Sequence, residues 1–294
     1  MSALILKKGM SLSGDIEDYP EGIIIPVDKP YRWTSADVIR KVKWAAGHHF
    51  SRKNLKVGHA GTLDPLATGV LLVCVGKATK LAETLQKHDK QYLAGVIFGA
   101  TTPSYDREKE IDRYYPLDGV SEESLRALLP TFLGTQEQVA PLFSAKSVDG
   151  VRAYEMARKA YRESRKDGSD FDHTGTELLS RQIVTIDKIE LESYSPDSSG
   201  YGIPEPDAWV NPNIKVTDAS SLGLPSARIA VGCTKGTYIR ALARDLGEAL
   251  GSGAFLGSLR RTRTGGFSVE DSLSVAEAME ILGARERQER RSEQ

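Results

Sequence analysis

The sequence has no hydrophobic run long enough to cross a membrane and only two cysteines among its 294 residues. A membrane-spanning helix needs about 20 apolar residues in succession. The first residues place a short apolar run before the lysines, the reverse order of a secretory signal peptide. We therefore expect a cytoplasmic protein. Cys74 and Cys233 lie in apolar, strand-like contexts, which favours two buried free thiols over a disulfide or a redox pair.

The chain also lacks an excess of charge of either sign. Its 39 basic and 40 acidic residues give a formal net charge of −1, which excludes the simplest nucleic-acid binder, a domain that is basic throughout. The basic residues are nevertheless concentrated between Lys29 and His59, and again at Arg260, Arg261 and Arg263. Each concentration is either a solvated surface or a contact for a polyanion, because clustered cations rather than net charge hold phosphates.

The pattern of apolar residues predicts a mixture of strands and helices. Strands are predicted from apolar runs at 23–27, 70–75, 93–98, 183–191 and 228–233. Helix starts are predicted at Thr34, Ser121, Thr237 and Ser274, residue types that suit the N-cap position. Strands and helices do not alternate strictly, so the order favours an α+β fold over a doubly wound parallel sheet.

The densest chemical signal is the segment GHAGTLDPLATGVL at 58–71. Pro65 disfavours a helical conformation at the preceding Asp64, and the glycines on both sides permit unusual backbone angles. The segment therefore holds one carboxylate on a shaped loop ahead of a buried strand. Taken by itself, Asp64 is either a catalytic carboxylate or the side chain of an Asx-turn or cap. A phosphate-binding P-loop does not fit, because Ala78 stands where Ser or Thr is needed.

The segment 58–71 resembles the catalytic motif of the TruB family, pseudouridine synthases that modify the uridine at position 55 in the T-loop of tRNA. Further blocks resemble the family in the same order, namely VDKP at 27–30, TSADV at 34–38, KQYLA at 90–94, APLFSAKSVDGVRAYEMARK at 140–159, CTKGTYIRALARDLGEALG at 233–251 and LRRTRTGGF at 259–267. This resemblance implies the pseudouridine synthase fold, a mixed and mainly antiparallel central sheet flanked by helices and loops.

The resemblance also implies roles for individual residues. Asp64 is expected to act at C1′ or C2′ of the uridine, with Arg240 as its ion-pair partner and Tyr92 stacked on the uracil. Leu259 resembles the residue that packs the flipped base, and His59 resembles the histidine that fills the space the base vacates. The remaining RNA contacts are expected at Lys29, Tyr238, Arg260 and Arg261.

No cofactor is implied, because the isomerisation breaks the N1–C1′ bond and joins C5 to C1′ without a redox step. A metal site at His48, His49 and His59 lacks the spacing that metal ligands show. The expected partner is tRNA, bound through its T-arm, with no membrane and no obligate protein partner. The protein is expected to act as a monomer.

Three regions are expected along the chain: an N-terminal extension at 1–21, a catalytic domain at 22–267, and a C-terminal helix with a charged tail at 268–294. Within the catalytic domain, the polar stretches near 162–176 and 193–212 are expected to be exposed insertions. The stretch after Phe267 is too short for the PUA RNA-binding domain that many relatives carry, so none is expected.

Two other functions remain open on the sequence alone. An RNA-binding or tRNA-folding protein needs the basic clusters but not Asp64, so catalysis on tRNA would discriminate against it. A glycoside hydrolase usually needs a pair of carboxylates, whereas this motif carries one, and it would release free uracil or a sugar.

Overall fold

The computed structural model describes residues 2–141, 143, 147–148, 151–152, 161, 166, 181–205 and 210–283. The chain forms two compact units. Unit 1 combines Met1–Gln91, Asp207–Ile214 and Arg260–Gln294, and unit 2 combines Tyr92–Pro206 and Lys215–Leu259. Each unit has its own hydrophobic core.

The described residues form the following elements. The strands are β1 (Leu4–Ile5), β2 (Ile23–Lys29), β3 (Val57–Ala60), β4 (Ala67–Val75), β5 (Lys90–Phe98), β6 (Ala100–Thr101), β7 (Arg113–Tyr114), β8 (Gly134–Val139), β9 (Ser147–Val148), β10 (Val151–Arg152), β11 (Arg181–Ser195), β12 (Ser226–Cys233), β13 (Ala254–Thr264) and β14 (Phe267–Ser268). The helices are α1 (Ser35–His49), α2 (Ala82–Gln86), α3 (Glu122–Leu128), α4 (Ile239–Ala249) and α5 (Val275–Ile281). Short 3-10 helices lie at Ile16–Asp18, Gly76–Leu81 and Leu129–Phe132.

The sheet of unit 1 is built around the buried strand β4. Strands β2 and β3 both pair antiparallel with β4, and β1 extends β2 in parallel. Helices α1 and α5 contribute Val38, Val42 and Ala278 to the core of this unit. Leu6 is fully buried in the same core. The N-terminal stretch therefore packs as part of unit 1.

The sheet of unit 2 is built around the long strand β11. Strand β11 pairs antiparallel with β8 along its first half and with β12 along the rest, and β5 lies beside β12. Helices α3 and α4 supply Leu125, Leu242 and Leu246 to the core that covers this sheet. Antiparallel pairing predominates in both units while β1 and β2 are parallel, which confirms the predicted mixed, mainly antiparallel α+β fold.

Three of the four predicted helix starts are confirmed. The N-caps that close a capping box are Thr34, Ser121 and Ser274. The prediction at Thr237 is wrong by one residue, because α4 begins at Ile239 with Tyr238 as its N-cap. The Thr237 hydroxyl instead donates to the carbonyl of Thr234 at 2.9 Å.

Of the predicted insertion at 162–176, only Lys166 lies among the described residues. Most of the block 140–159 and the tail from 284 also lie outside the described residues. The prediction of an exposed loop at 193–212 is wrong in part. Residues 193–195 belong to β11, and Ser198 is fully buried. Among the described residues, none of the helices has the length and apolar character of a membrane span.

Candidate active site

Asp64 lies on the loop between β3 and β4, and its side chain is half-buried. The Ala67 N–H donates to the Asp64 carbonyl at 3.1 Å and closes a turn. Pro65 takes the second position of this turn, where its fixed φ is favourable. Strand β4 begins at Ala67, so the carboxylate stands at the start of a buried strand, as the sequence predicts.

The loop that carries Asp64 comprises residues 61–66, and we call it the Asp64 loop. Arg261, which also belongs to unit 1, holds the first part of this loop. Its side chain is buried, and Nε donates to the Val70 carbonyl at 2.7 Å. Its terminal nitrogens donate to the carbonyls of Gly61 at 3.1 Å and Thr62 at 3.4 Å. One guanidinium thus fixes the start of the loop to the strand that follows it.

The backbone of Arg261 also approaches β4 closely at Gly69. A Cβ on Gly69 would lie 2.1 Å from the Arg261 carbonyl oxygen. Gly69 also has φ of +102°, a conformation that other residues rarely adopt. This close approach therefore requires glycine, which accounts for one of the motif glycines.

Lys29 and Ser35 hold the second part of the Asp64 loop. Lys29 is fully buried, and its Nζ donates to the Pro65 carbonyl at 3.2 Å and to two carbonyls of the turn before α1 at 3.0 and 2.5 Å. The Ser35 hydroxyl accepts from the Leu63 N–H at 3.0 Å and donates to the Leu63 carbonyl at 3.2 Å. Ser35 lies in the block TSADV at 34–38, but the sequence assigned it no role.

The structure contradicts the predicted phosphate contacts of Lys29 and Arg261. Both cations are at most 2% exposed and are bound to backbone carbonyls. A buried cation needs such partners to offset the loss of its hydration. In this arrangement the two side chains position the Asp64 loop.

Arg260 lies on the same strand as Arg261 but keeps 40% of its side chain exposed. Its guanidinium forms a bidentate pair with Asp28, with distances of 3.2 and 2.8 Å, and contacts the Thr68 hydroxyl at 3.2 Å. The exposed part leaves room for a phosphate, so its RNA contact stays a prediction.

His59 lies on β3 opposite Val73 and is half-buried. Burial lowers the pKa of its imidazole, and the nearby Arg261 guanidinium lowers it further. Its Nδ1 is buried and makes no hydrogen bond within the part of the chain that the structure describes. The ring is therefore held as a neutral aromatic group, which suits insertion among bases better than pairing with a phosphate.

In unit 2, Arg240 is the second residue of α4 and is 4% exposed. Its Nη1 donates to the Ser104 carbonyl at 3.0 Å and its Nη2 to the Phe143 carbonyl at 2.8 Å. Its Nε lies 3.8 Å from a carboxylate oxygen of Asp106. The N-terminal end of a helix disfavours a cation, so these tertiary contacts offset an unfavourable position. The predicted pair with Asp64 stays a prediction.

Asp106 contacts Arg240, and sequence reasoning missed it, since no motif marks it. Its side chain is buried, and Oδ1 accepts from the Ser104 hydroxyl at 2.6 Å and from the Glu108 N–H at 2.9 Å. These donors fix the carboxylate, whose other oxygen faces Arg240. A fixed anion beside a buried guanidinium orients it and partly compensates its charge.

Tyr92 and Leu259 both pack, half-buried, against the core of unit 2. Helix α4, which carries Arg240, contributes to the same core. Tyr238 precedes this helix, and its N–H donates to the Gln138 side chain at 2.8 Å. The structure thus gathers these predicted residues around one core, and their contacts with RNA stay predictions.

A cavity of about 350 Å³ opens on unit 1 and is lined by four cations, Arg52, Lys56, Lys77 and Lys80. We call it the basic cavity. Glu17 also lines it and pairs with Arg52 at 3.0 Å. The two lysines from the 3-10 helix lie outside the basic clusters that the sequence singled out. Exposed cations of this kind remain available to phosphate groups.

Cys74 and Cys233 are both buried thiols outside any disulfide, which confirms the prediction. Burial raises the pKa of the Cys74 thiol to about 11, so this thiol stays protonated and is not a nucleophile at neutral pH. Within the described ranges, no group of three His, Cys, Asp or Glu side chains could hold a metal ion.

Family models match two parts of the chain. A model described as TruB family pseudouridylate synthase (N terminal domain) matches residues 48–197, and one described as tRNA pseudouridylate synthase B C-terminal domain matches residues 240–292. The protein named tRNA pseudouridine synthase B in Phocaeicola vulgatus is 43% identical over 92% of this chain and 98% of its own. The chain belongs to the TruB family. A protein of the same name in Bacteroides thetaiotaomicron is 45% identical over 92% of this chain and 96% of its own.

Solved structures share the fold of this TruB family member. The chain is similar to one in the archaeal box H/ACA sRNP Nop10–Cbf5 complex, with a TM-score of 0.50 and 22% identity over 89% of this chain and 53% of that one. It is also similar to one in a Cbf5–Nop10–Gar1 complex, with a TM-score of 0.54 and 22% identity over 94% of this chain and 62% of that one. At this identity the likeness concerns the fold alone, and it confirms the predicted pseudouridine synthase fold.

Proposed function

We propose that this protein converts uridine to pseudouridine at position 55 in the T-loop of tRNA without a cofactor. Its family membership supports the reaction, since relatives 43% and 45% identical are named tRNA pseudouridine synthase B. The observation that carries the mechanism is the Asp64 loop, which Arg261, Ser35 and Lys29 hold along its length.

The reaction requires an anionic group beside the ribose. The N1–C1′ bond breaks, the uracil turns, C5 joins C1′, and the proton on C5 is lost while N1 gains one, so no atom is gained or lost overall. A carboxylate can take part as a nucleophile at C1′ or as a base at C2′. Asp64 is half-buried on a loop that is held along its length. This support limits movement of the carboxylate and so favours a reactive geometry.

We assign the other predicted residues roles around this carboxylate. Arg240, which Ser104 and Asp106 already orient, pairs with Asp64 and orients its carboxylate. Tyr92 and Leu259 contact the flipped uracil from the core on which both pack. His59 places its neutral ring in the space that the base leaves.

The proposed substrate contact is with the T-arm of tRNA. Arg260 and the cations of the basic cavity contact the RNA backbone, which positions the substrate without reading its sequence. Tyr238 adds a contact at the start of α4. In this proposal the protein acts as a monomer without an obligate protein partner, in the cytoplasm where its substrate is found.

Incubation of the protein with an unmodified tRNA transcript, followed by mapping of pseudouridine at nucleotide resolution, tests this function. We expect product at the T-loop uridine and none in a transcript that carries cytidine at that position. Release of free uracil would instead support a glycoside hydrolase. Tight binding of tRNA without any product would support an RNA-binding protein.

A further inference from the structure

Arg107 is a buried arginine of unit 2 to which the proposed reaction gives no role. Its side chain is 4% exposed, and Nε donates to the Thr217 carbonyl at 2.8 Å. Nη2 donates to the Gly202 carbonyl at 3.0 Å and Nη1 to the Gly257 carbonyl at 3.4 Å. The Arg107 carbonyl also accepts from the Thr217 N–H at 2.8 Å. One residue therefore joins two stretches of a loop to strand β13.

This loop, which we call the anchored loop, comprises the described residues 197–205 and 215–225. Its Tyr201 packs on two strands at glycine positions. A Cβ on Gly95 of β5 would lie 2.4 Å from the Tyr201 hydroxyl oxygen, and one on Gly257 of β13 would lie 2.5 Å from the ring. Gly95 and Gly257 carry no side chain at the positions that Tyr201 occupies, so Tyr201 packs directly on the backbone of the two strands.

The residues just before Arg107 contact Arg240. The Ser104 carbonyl accepts from the Arg240 guanidinium at 3.0 Å, and the Asp106 carboxylate lies 3.8 Å from it. Tyr105 between them has φ of +54°, a conformation that a large side chain keeps only when its surroundings enforce it. The segment 104–107 therefore depends on external support.

We infer that Arg107 is a positioning residue for Arg240. It fastens the anchored loop to the segment 104–107 and thereby holds the backbone from which Ser104 and Asp106 orient the Arg240 guanidinium. The inference rests on the proposed function, because it gives Arg107 an effect on the isomerisation. Its structural part, the coupling of the loop to this segment, can be measured separately.

The test compares Arg107→Met, which removes the donors but keeps much of the apolar volume, with Arg107→Lys and with Arg181→Met. Arg181 is an exposed arginine on β11 and serves as the matched control. The readouts are the single-turnover rate of pseudouridine formation at saturating tRNA, the Kd for tRNA, and hydrogen exchange in peptides covering 98–110 and 198–222.

For Arg107→Met we expect a single-turnover rate lower by about tenfold or more, with Kd for tRNA within about threefold of the unsubstituted protein. Hydrogen exchange should become faster in both peptides. Arg107→Lys should recover part of the rate, because it keeps the charge but lacks the planar fork. If the Met variant does not fold, the Lys variant should still show a reduced rate with unchanged Kd. Arg181→Met should leave the single-turnover rate, the Kd for tRNA and the hydrogen exchange of both peptides unchanged.

An unchanged single-turnover rate in Arg107→Met would overturn the inference. So would faster exchange confined to 198–222, since the loop would then be attached independently of the segment that holds Arg240. Absence of product from the unsubstituted protein would count against the proposed function instead. The exchange of 98–110 would then still decide whether Arg107 supports this segment.

Discussion

The Nζ of Lys29 lies 3.2 Å from the carbonyl oxygen of Pro65, the residue that follows Asp64. Arg261 makes the corresponding contact at the other end of the loop, with the carbonyl of Gly61. Two buried cations of unit 1, Lys29 and Arg261, therefore hold the loop, whereas exposed cations such as Lys56 remain available to RNA. This division can be measured.

Replacing Lys29 by Met should lower stability and activity without changing the salt dependence of tRNA binding. The variant leaves buried carbonyls without their donor, which lowers the free energy of unfolding by about 1–3 kcal/mol for each such group. No phosphate loses a partner. Urea unfolding and filter binding over a salt series measure the two effects.

Lys56→Met is the matched control, because Lys56 is an exposed lysine of the basic cavity. It should leave stability unchanged and make the slope of log K against log salt shallower by about 1. A shallower slope in Lys29→Met would show that Lys29 contacts phosphate after all.

Gly69→Ala should strongly destabilise the protein. Its Cβ would lie 2.1 Å from the Arg261 carbonyl oxygen, and φ at this position is +102°. We expect the free energy of unfolding to fall by more than about 4 kcal/mol.

Gly134→Ala isolates the backbone contribution, because Gly134 has φ of +99° but nothing within 4 Å of its Cβ position. It should reduce the free energy of unfolding by only about 1–2 kcal/mol. Equal losses for the two variants in urea unfolding would contradict the close approach of Arg261 to β4.

Local sequence patterns predicted the features that local forces determine. The residue type of Thr34 located the start of α1, where Thr34 closes a capping box with the neighbouring Asp37. The apolar run beginning at Val70 located β4, and Pro65 located the turn that carries Asp64. These features depend on a few consecutive residues.

The burial of individual charges could not be predicted in the same way. Arg260 and Arg261 are adjacent in the sequence, yet one keeps 40% of its side chain exposed and the other is buried against β4. The N-cap of α4 likewise depends on Gln138, which lies 100 residues before the Tyr238 that it contacts. Contacts between distant segments decide such cases, and one sequence does not display them.

Acidification should destabilise the protein through His59. Burial and the neighbouring Arg261 lower its pKa in the folded state below the ordinary value of 6.5. As pH falls through this value, the unfolded chain binds a proton that the folded protein does not bind, so the free energy of unfolding decreases. Above it both states are neutral and His59 contributes no pH dependence.

Urea unfolding at about pH 7.5 and about pH 5.5 measures this effect. His59→Gln should lose less stability between the two conditions than the unsubstituted protein. His48→Gln, at an exposed position of α1, should behave like the unsubstituted protein. An identical loss in His59→Gln would show that its imidazole is protonated equally in both states.

Neither cysteine should react with iodoacetamide at about pH 8 in the folded protein. Both thiols are buried, and burial raises the pKa of Cys74 to about 11. Mass spectrometry should find no adduct before denaturation and two after it. An adduct on Cys74 in the native protein would contradict the burial of β4.

The assignment of the reaction to Asp64 is tested most directly by the single-turnover rate of Asp64→Asn on unmodified tRNA, measured beside the Kd for the same RNA. Asp118→Asn, at an exposed position, is the control and should be fully active. We predict no pseudouridine from Asp64→Asn, with Kd within about threefold, because the contacts that position the RNA are made elsewhere. Pseudouridine formation by the sequence-verified variant at a rate near that of the unsubstituted protein would contradict the catalytic role of Asp64.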